Sequence, residues 1–335
     1  MRYLLTTDPG IESIVVDELR ERGAGGQADP CPYETQGHVR VDGAELDELR
    51  RLRTIHHIVE IRREARAATL EEIEAVLGEI DFPELNGAES FRVTTERQGK
   101  HPFRSTDVQR VAGAAIFRQY GTRVDLERFE VEVRVNLYGD RVVAGIQETR
   151  DSLGNRILRA RALRSSLKPT IAAAMLRLVG AHRGEGRLID PMCGTGTIPI
   201  EARQANPRLQ VQASDWDDET VEVARATIHN HGLEIEVDNL DARTLGQGYP
   251  ERFDYIVTDP PYGVRQARRV SMVHLYETLL PSLERALAPR GLLAIVVVKY
   301  RAFLAALEPT GLRVVDERLI DVGGLHPRIF VLERR

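Results

Sequence analysis

The chain's 335 residues exceed what one hydrophobic core usually serves, so two or three domains are expected. A hydrophobic share of 42% against 29% charged residues excludes wholesale disorder, and no apolar run reaches the roughly 18 residues of a membrane-spanning helix. The net charge of -5 argues against a chain that is basic throughout, so any nucleic-acid-binding patch must be local.

In chain order, residues 1–60 read as a small α+β unit. A strand is expected at 2–6, a turn at Asp8-Pro9-Gly10, and a helix where Ile11, Ile14, Val15 and Leu19 recur. A second strand is expected at 38–41, and Leu46, Leu49, Leu52 and Ile55 mark a second helix. A second α+β unit covers 61–150. Its helical stripes are Ile73, Val76, Leu77, Ile80 and then Val108, Val111, Ala112, Ala115, Ile116, with strands at 91–93, 130–135 and 142–146. Residues 151–166 form a basic linker, in which Arg156, Arg159, Arg161 and Arg164 stand against one acid, Asp151. From 167 to 335 strands (187–189, 209–213, 235–237, 253–258, 292–298) alternate with helices (198–204, 219–229, 273–287) before a terminal hairpin at 314–319 and 329–332. That rhythm predicts a doubly wound, mostly parallel α/β sheet.

Two turns in this last region carry chemistry. Asp190-Pro191-Met192-Cys193-Gly194-Thr195-Gly196-Thr197 joins a strand to a helix, where glycines admit close approach of a ligand to the backbone. Asp215 closes the next strand, a position from which an acid takes ribose hydroxyls. A dinucleotide fingerprint needs a third glycine where Pro199 stands, and an ATP loop needs a lysine that is missing. What remains is S-adenosylmethionine (SAM), which has a ribose and an adenine but no phosphate. In that reading Asp190 faces the cationic methionine portion and Asp241 the adenine amino group; a plain helix N-cap explains Asp241 equally well. The second turn, Asp259-Pro260-Pro261-Tyr262-Gly263, follows an apolar strand, and its paired prolines fix the carbonyl directions. A carboxylate and a carbonyl set against the two N–H bonds of an exocyclic amine draw its lone pair toward an electrophile, and Tyr262 offers a stacking face.

Other features weigh less. Arg97, Lys100, Arg104, Arg110 and Arg118 face only Asp107 between residues 97 and 118, which suits either phosphates or a solvated helix face. Arg265, Arg268 and Arg269 follow the second turn and suit the backbone around a flipped base or a solvent loop. His56-His57 has no acid or cysteine at ligand spacing, so no metal is expected. Cys193 is read as a packing residue, and Trp216, next to Asp215, either packs near the adenine or is simply buried, with burial the better reading. Two cysteines, Cys31 and Cys193, and no signal-peptide anatomy at the start fit a reducing cytoplasm.

The ordered motifs resemble the THUMP-domain RNA guanine-N2 methyltransferases, in particular the TrmN-like group that methylates N2 of guanosine 6 in the tRNA acceptor stem. Leu167-Lys168-Pro169-Thr170-Ile171-Ala172-Ala173-Ala174-Met175 is similar to the helix ahead of that family's SAM domain. The likeness continues through Asp190 to Ala202 and reaches back to Tyr3 through Leu19, including Asp8-Pro9-Gly10-Ile11-Glu12. Phe91-Arg92-Val93, Arg97, Gly99, His101 and Phe103-Arg104-Ser105 resemble a THUMP domain. The resemblance implies a Rossmann-like SAM-dependent methyltransferase domain (167–335) behind a ferredoxin-like domain (1–60), a THUMP RNA-binding domain (61–150) and the basic linker. It implies SAM binding by Asp190, Gly194, Thr195, Gly196, Asp215, Asp241 and Ala242, and catalysis by Asp259, Pro260 and Tyr262. It makes Arg97, Lys100, Arg104 and Arg110 RNA contacts, to which Arg159, Arg161 and Arg265 are added as basic neighbours. tRNA is the expected partner, with no membrane or metal and a monomer as the expected state. The group often has Asn where this chain has Asp259, and Asp is common in relatives that modify guanosine 10. Guanosine 10 or a 23S rRNA guanine are therefore alternative targets, and an RNA-binding module that has lost catalysis is the alternative of another class.

Overall fold

The structure, a computed structural model, describes residues 1–24, 26–160, 166–249, 251–262 and 271–335. It divides into two compact units, one of Met1–Thr7 with Val15–Leu153 and one of Asp8–Ile14 with Gly154–Arg335.

In the first unit the described strands are β1 (Arg2–Thr7), β2 (Gln27–Pro30), β3 (His38–Asp42), β4 (Ile55–Arg66), β5 (Ser90–Thr94), β6 (Arg97–Gln98), β7 (Arg123–Val124), β8 (Val131–Tyr138) and β9 (Arg141–Gln147). They form one sheet in the order β2-β3-β1-β4-β9-β8-β5-β7, with β6 also on β8. Its helices are α1 (Glu12–Arg22), whose first residues Glu12–Ile14 group with the second unit, α2 (Leu46–Leu49), α3 (Leu70–Gly78) and α4 (Ser105–Tyr120). The Thr69 hydroxyl accepts the Glu72 N–H, and the Glu72 carboxylate accepts the Thr69 N–H, which fixes the start of α3.

The expected helix through Ile55 is a correction. It stops at Leu49, and Ile55 instead opens the twelve-residue strand β4, which pairs antiparallel with β1 and β9. Ile55, Ile58, Val59 and Ile61 are all buried, a spacing that also suits a helix. Charged neighbours disguise the strand, yet they are paired along it, with Arg62 bridging Glu60 and Glu84.

The second unit adds helices α5 (Pro169–Leu178), α6 (Thr197–Ala205), α7 (Asp218–Asn230), α8 (Leu245–Gly248), α9 (Met272–Ala286) and α10 (Tyr300–Leu307). Its described strands are β10 (Gly186–Asp190), β11 (Leu209–Asp215), β12 (Glu236–Asn239), β13 (Phe253–Thr258), β14 (Leu287–Val297), β15 (Leu312–Leu319) and β16 (Arg328–Arg334). They lie in the order β12-β11-β10-β13-β14-β16-β15. All pair in parallel except β16, which is antiparallel to β14 and β15. The α/β fold with its terminal hairpin is as expected. Helix α10 was not anticipated, because its Phe303, Ala306 and Leu307 follow the apolar run of β14 without a breaker. Strand order reverses between β10 and β13, so the crevice at their carboxyl ends is where such sheets take ligands.

Arg156 of the linker segment anchors to this unit. Its Nε and Nη2 meet Glu201 Oε1 and Oε2 at 2.7 and 2.9 Å, and Glu201 on α6 is fully buried. Glu201→Ala should destabilise the protein by about 3–5 kcal/mol, because it takes this carboxylate away from a largely buried guanidinium. A fall in the urea midpoint at unchanged slope would show it.

Candidate active site

Backbone requirements build the site. Strand β10 delivers Asp190 into a turn where Gly194 and Gly196 sit at φ +52° and +86°, conformations that L side chains rarely adopt. The turn is pinned by Cys193 N–H to the Ser214 carbonyl (3.0 Å) and Gly196 N–H to the Cys193 carbonyl (2.8 Å). Asp215 ends β11, and its carboxylate accepts the Gly194 N–H at 3.1 Å and the Asp217 N–H at 3.2 Å. Asp259 follows β13 directly, with Pro260, Pro261 and Tyr262 behind it.

These turns line one cavity, together with Ser166, Leu167, Met192, Cys193, Thr195, Thr197, Ile198, Trp216 and Thr220. Among its described lining residues are three carboxylates, Asp190, Asp215 and Asp259, and no lysine, arginine or histidine. Burial therefore acts without compensation. It drives the Asp190 carboxyl well above the usual range, against the hydrogen bond from Met192 N–H at 3.2 Å and reinforced by the charges of Asp259 and Asp215. Burial also raises Asp215. It raises Asp259 to about 7, against the stabilising hydrogen bond from Tyr262. Asp259 is partly accessible as a residue, but its Oδ1 is enclosed and has no hydrogen-bond partner among the described residues. Tyr262 is pushed upward by burial and by Asp259, and the buried Tyr276 to about 12 by burial, with the Asp259 charge adding to it. The arrangement suits a positively charged ligand and opposes a phosphate.

Of the residues expected to hold cofactor or do chemistry, the cavity gathers Asp190, Gly194, Thr195, Asp215, Asp259, Pro260 and Tyr262. Gly196 caps α6 and does not line it. Asp241 caps a short turn, accepting the Arg243 N–H at 2.9 Å, and the Arg243 guanidinium holds its carboxyl below the usual range. Ala242 is buried beside Leu245, Phe253 and Tyr276. Neither Asp241 nor Ala242 lines the cavity, so for Asp241 the observed contact is the N-cap.

Trp216, weighed toward burial, is 69% exposed at the cavity. Its place straight after Asp215, at a strand's carboxyl end, was the available signal. Cys193 is buried with Ile200, Ala213 and Val221, and burial pushes its thiol up, away from the thiolate a nucleophile needs.

On the first unit, Lys100, Arg104 and Arg110 are exposed and form no ion pair among the described residues, while Arg97 Nε donates to Ser105 Oγ at 3.1 Å. Arg118 pairs with Glu74. Arg159, on the second unit, is half-buried and donates to the Leu167 carbonyl at 3.0 Å. Arg161, Arg164, Gly263, Arg265, Arg268 and Arg269 lie outside the described residues. His56 and His57 meet Ser152 and Thr149, and no cluster of three or more His, Cys, Asp or Glu side chains able to hold a metal occurs among the described residues. Among them, too, no helix is long and apolar enough to cross a membrane.

Comparison with known proteins agrees with this geometry. Residues 156–328 match the RMKL-like methyltransferase domain, and residues 67–146 match the THUMP domain. The chain is 38% identical to the tRNA (guanine(6)-N2)-methyltransferase of Thermus thermophilus over 98% of both chains. It is 31% identical to the tRNA (guanine(10)-N2)-dimethyltransferase of Methanothermobacter thermautotrophicus over 90% of this chain and 84% of that one. The crystal structure of TrmN from Thermus thermophilus superposes with a TM-score of 0.88 at 36% identity over all of both chains.

Trp216 is the single tryptophan of the chain. Filling the cavity should change its emission in proportion to occupancy, and Trp216→Phe should abolish the change while calorimetry still reports binding.

Proposed function

This chain belongs to the RMKL-like methyltransferase family, and from that membership we propose that it transfers a methyl group from SAM to the exocyclic N2 of guanosine 6 in tRNA. The observation that carries the cofactor reading is a cavity with three carboxylates and no lysine, arginine or histidine among its described lining residues, which fits a sulfonium and an ammonium and opposes a dinucleotide's phosphates. When bound, SAM supplies an electrophilic methyl group on positively charged sulfur. Asp190 faces the cationic portion, and Asp215 takes the ribose hydroxyls. The Asp259 carboxylate and the Pro260 carbonyl accept the two N–H bonds of the guanine amine, so that its lone pair points at the methyl carbon, and Tyr262 stacks on the base. Most of the rate comes from this alignment. The Asp259 Oδ1, which has no hydrogen-bond partner among the described residues, supports the reading in which Asp259 accepts the amine proton.

Residues 1–60 and 61–150 serve in this reading as the ferredoxin-like and THUMP RNA-binding parts, 151–166 as linker and 167–335 as the catalytic domain. Arg97, Lys100, Arg104 and Arg110 all fall within the THUMP match and hold the tRNA backbone. A second reading, guanosine 10, is favoured by Asp259 itself; mass-spectrometric mapping of N2-methylguanosine in tRNA from a deletion strain separates the two.

Asp259→Ala should lower methyl transfer about a hundredfold or more while SAM still binds. Loss of SAM binding would misplace the catalytic turn. Because burial raises the Asp259 pKa, its carboxyl is neutral at low pH and becomes the stronger acceptor as pH rises. Turnover should therefore climb with pH to a plateau, with a midpoint that SAM's positive charge draws below about 7. Asp259→Asn should flatten the profile.

Replacing Lys100, Arg104 and Arg110 by alanine should weaken tRNA binding and shrink its dependence on log salt by about 0.7–0.9 per lost phosphate contact. SAM affinity should not move.

A further inference from the structure

Ser166 and Leu167, in the cavity wall, lead directly into Lys168 and helix α5. This stretch is held by a residue far off in sequence. Asp8, 1% exposed, places Oδ1 2.6 Å from Lys168 Nζ and accepts the Thr170 hydroxyl on Oδ2 at 2.5 Å. Lys168 is the N-cap of α5 but provides no side-chain cap, so Asp8 stands as an anion at the positive end of that helix.

Asp8 opens the segment Asp8–Ile14, which groups with the second unit although the residues on both sides of it group with the first. The segment is firmly seated. Ile11 and Ile14 are buried in the same cluster as Ile171, Ala172 and Met175 of α5. The Pro9 carbonyl accepts the Asp321 N–H at 3.1 Å. Gly10, at φ +100°, leaves no space for a side chain, since a Cβ there would come within 2.0 Å of the Leu319 carbonyl oxygen. Beyond Asp8, ties among the described residues include Arg159 to the Leu167 carbonyl at 3.0 Å and Ser166 Oγ to Thr195 Oγ1 at 3.3 Å.

We infer that Asp8 is a positioning residue of the SAM site: by holding Lys168 and Thr170 it fixes the Ser166–Leu167 wall against the glycine turn, and cofactor affinity depends on it. The inference rests on the SAM reading above. An exposed ion pair would be worth little in this role, but Asp8 is buried and both of its oxygens are engaged.

The test uses the full-length chain and its Asp8→Ala, Asp8→Asn and Lys168→Met variants. SAM affinity is read by calorimetry, SAM KM and kcat by initial rates, and tRNA affinity by filter binding. Asp8→Ala should raise the SAM Kd and KM about tenfold, with kcat at saturating SAM falling far less and tRNA Kd holding. Lys168→Met should give part of the effect, and the double variant less than the sum. Unchanged SAM Kd and KM in folded Asp8→Ala would overturn the inference. So would parallel losses of kcat, SAM affinity and tRNA affinity with a lowered melting temperature, the mark of a purely structural role. Should Asp8→Ala not fold, Asp8→Asn and Lys168→Met decide the matter, and wild-type SAM KM in both refutes the role. No heat from wild-type protein with SAM would instead bring down the SAM reading itself, and this role with it.

Discussion

The desolvation of three carboxylates in one cavity is the constraint around which the second unit is arranged. Asp190, Asp215 and Asp259 stand at or just past the carboxyl ends of β10, β11 and β13, neighbouring strands around the point where order reverses between β10 and β13. Carboxylates drawn together out of water raise one another's pKa unless a positive charge joins them. The protein supplies none from the described lining, so a cationic ligand is electrostatically part of the site. The glycine turn serves the same end from the backbone side. With Gly194 in a left-handed conformation, its N–H reaches Asp215 and holds that carboxylate in place.

How much of this was legible in the sequence depended on how local the signal was. Strands β10 and β13 could be read because each is a short apolar run with an acid at or just past its end, and β11 because Leu209, Val211 and Ala213 alternate with polar residues ahead of Asp215; the two turns that follow β10 and β13 carry their chemistry in consecutive residues. Asp241 shows where spacing fails. An acid after a strand looks the same whether it meets a ligand or caps a turn, and here the partner is Arg243, two residues away. Strand β4 was hidden because its buried positions, Ile55, Ile58, Val59 and Ile61, also fit helical spacing. Trp216 was weighed toward burial, the commoner fate of a tryptophan, although its place after Asp215 also pointed to the cavity, where it is 69% exposed.

Charge counting along the linker was similarly incomplete. Arg156 and Arg159 look in the sequence like part of a basic stripe, yet Arg156 is spent on the buried Glu201 and Arg159 on the Leu167 carbonyl. Both are inward-facing fasteners of the catalytic unit. By contrast Lys100, Arg104 and Arg110 are exposed and form no ion pair among the described residues, which supports the proposed RNA contact. For Arg156 the distinction rests on a buried acid distant in sequence, and for Arg159 on a backbone carbonyl, neither of which charge counting detects.

The seating of Asp8–Ile14 has a consequence for biosynthesis. These residues are synthesised long before Ile320, Ile329 and Val331, with which they share a buried cluster. A contact spanning some three hundred positions, such as Ser13 with Arg318, closes only after everything between them has emerged from the ribosome. Nascent chains must therefore carry an unfinished second unit until β15 and β16 have been made.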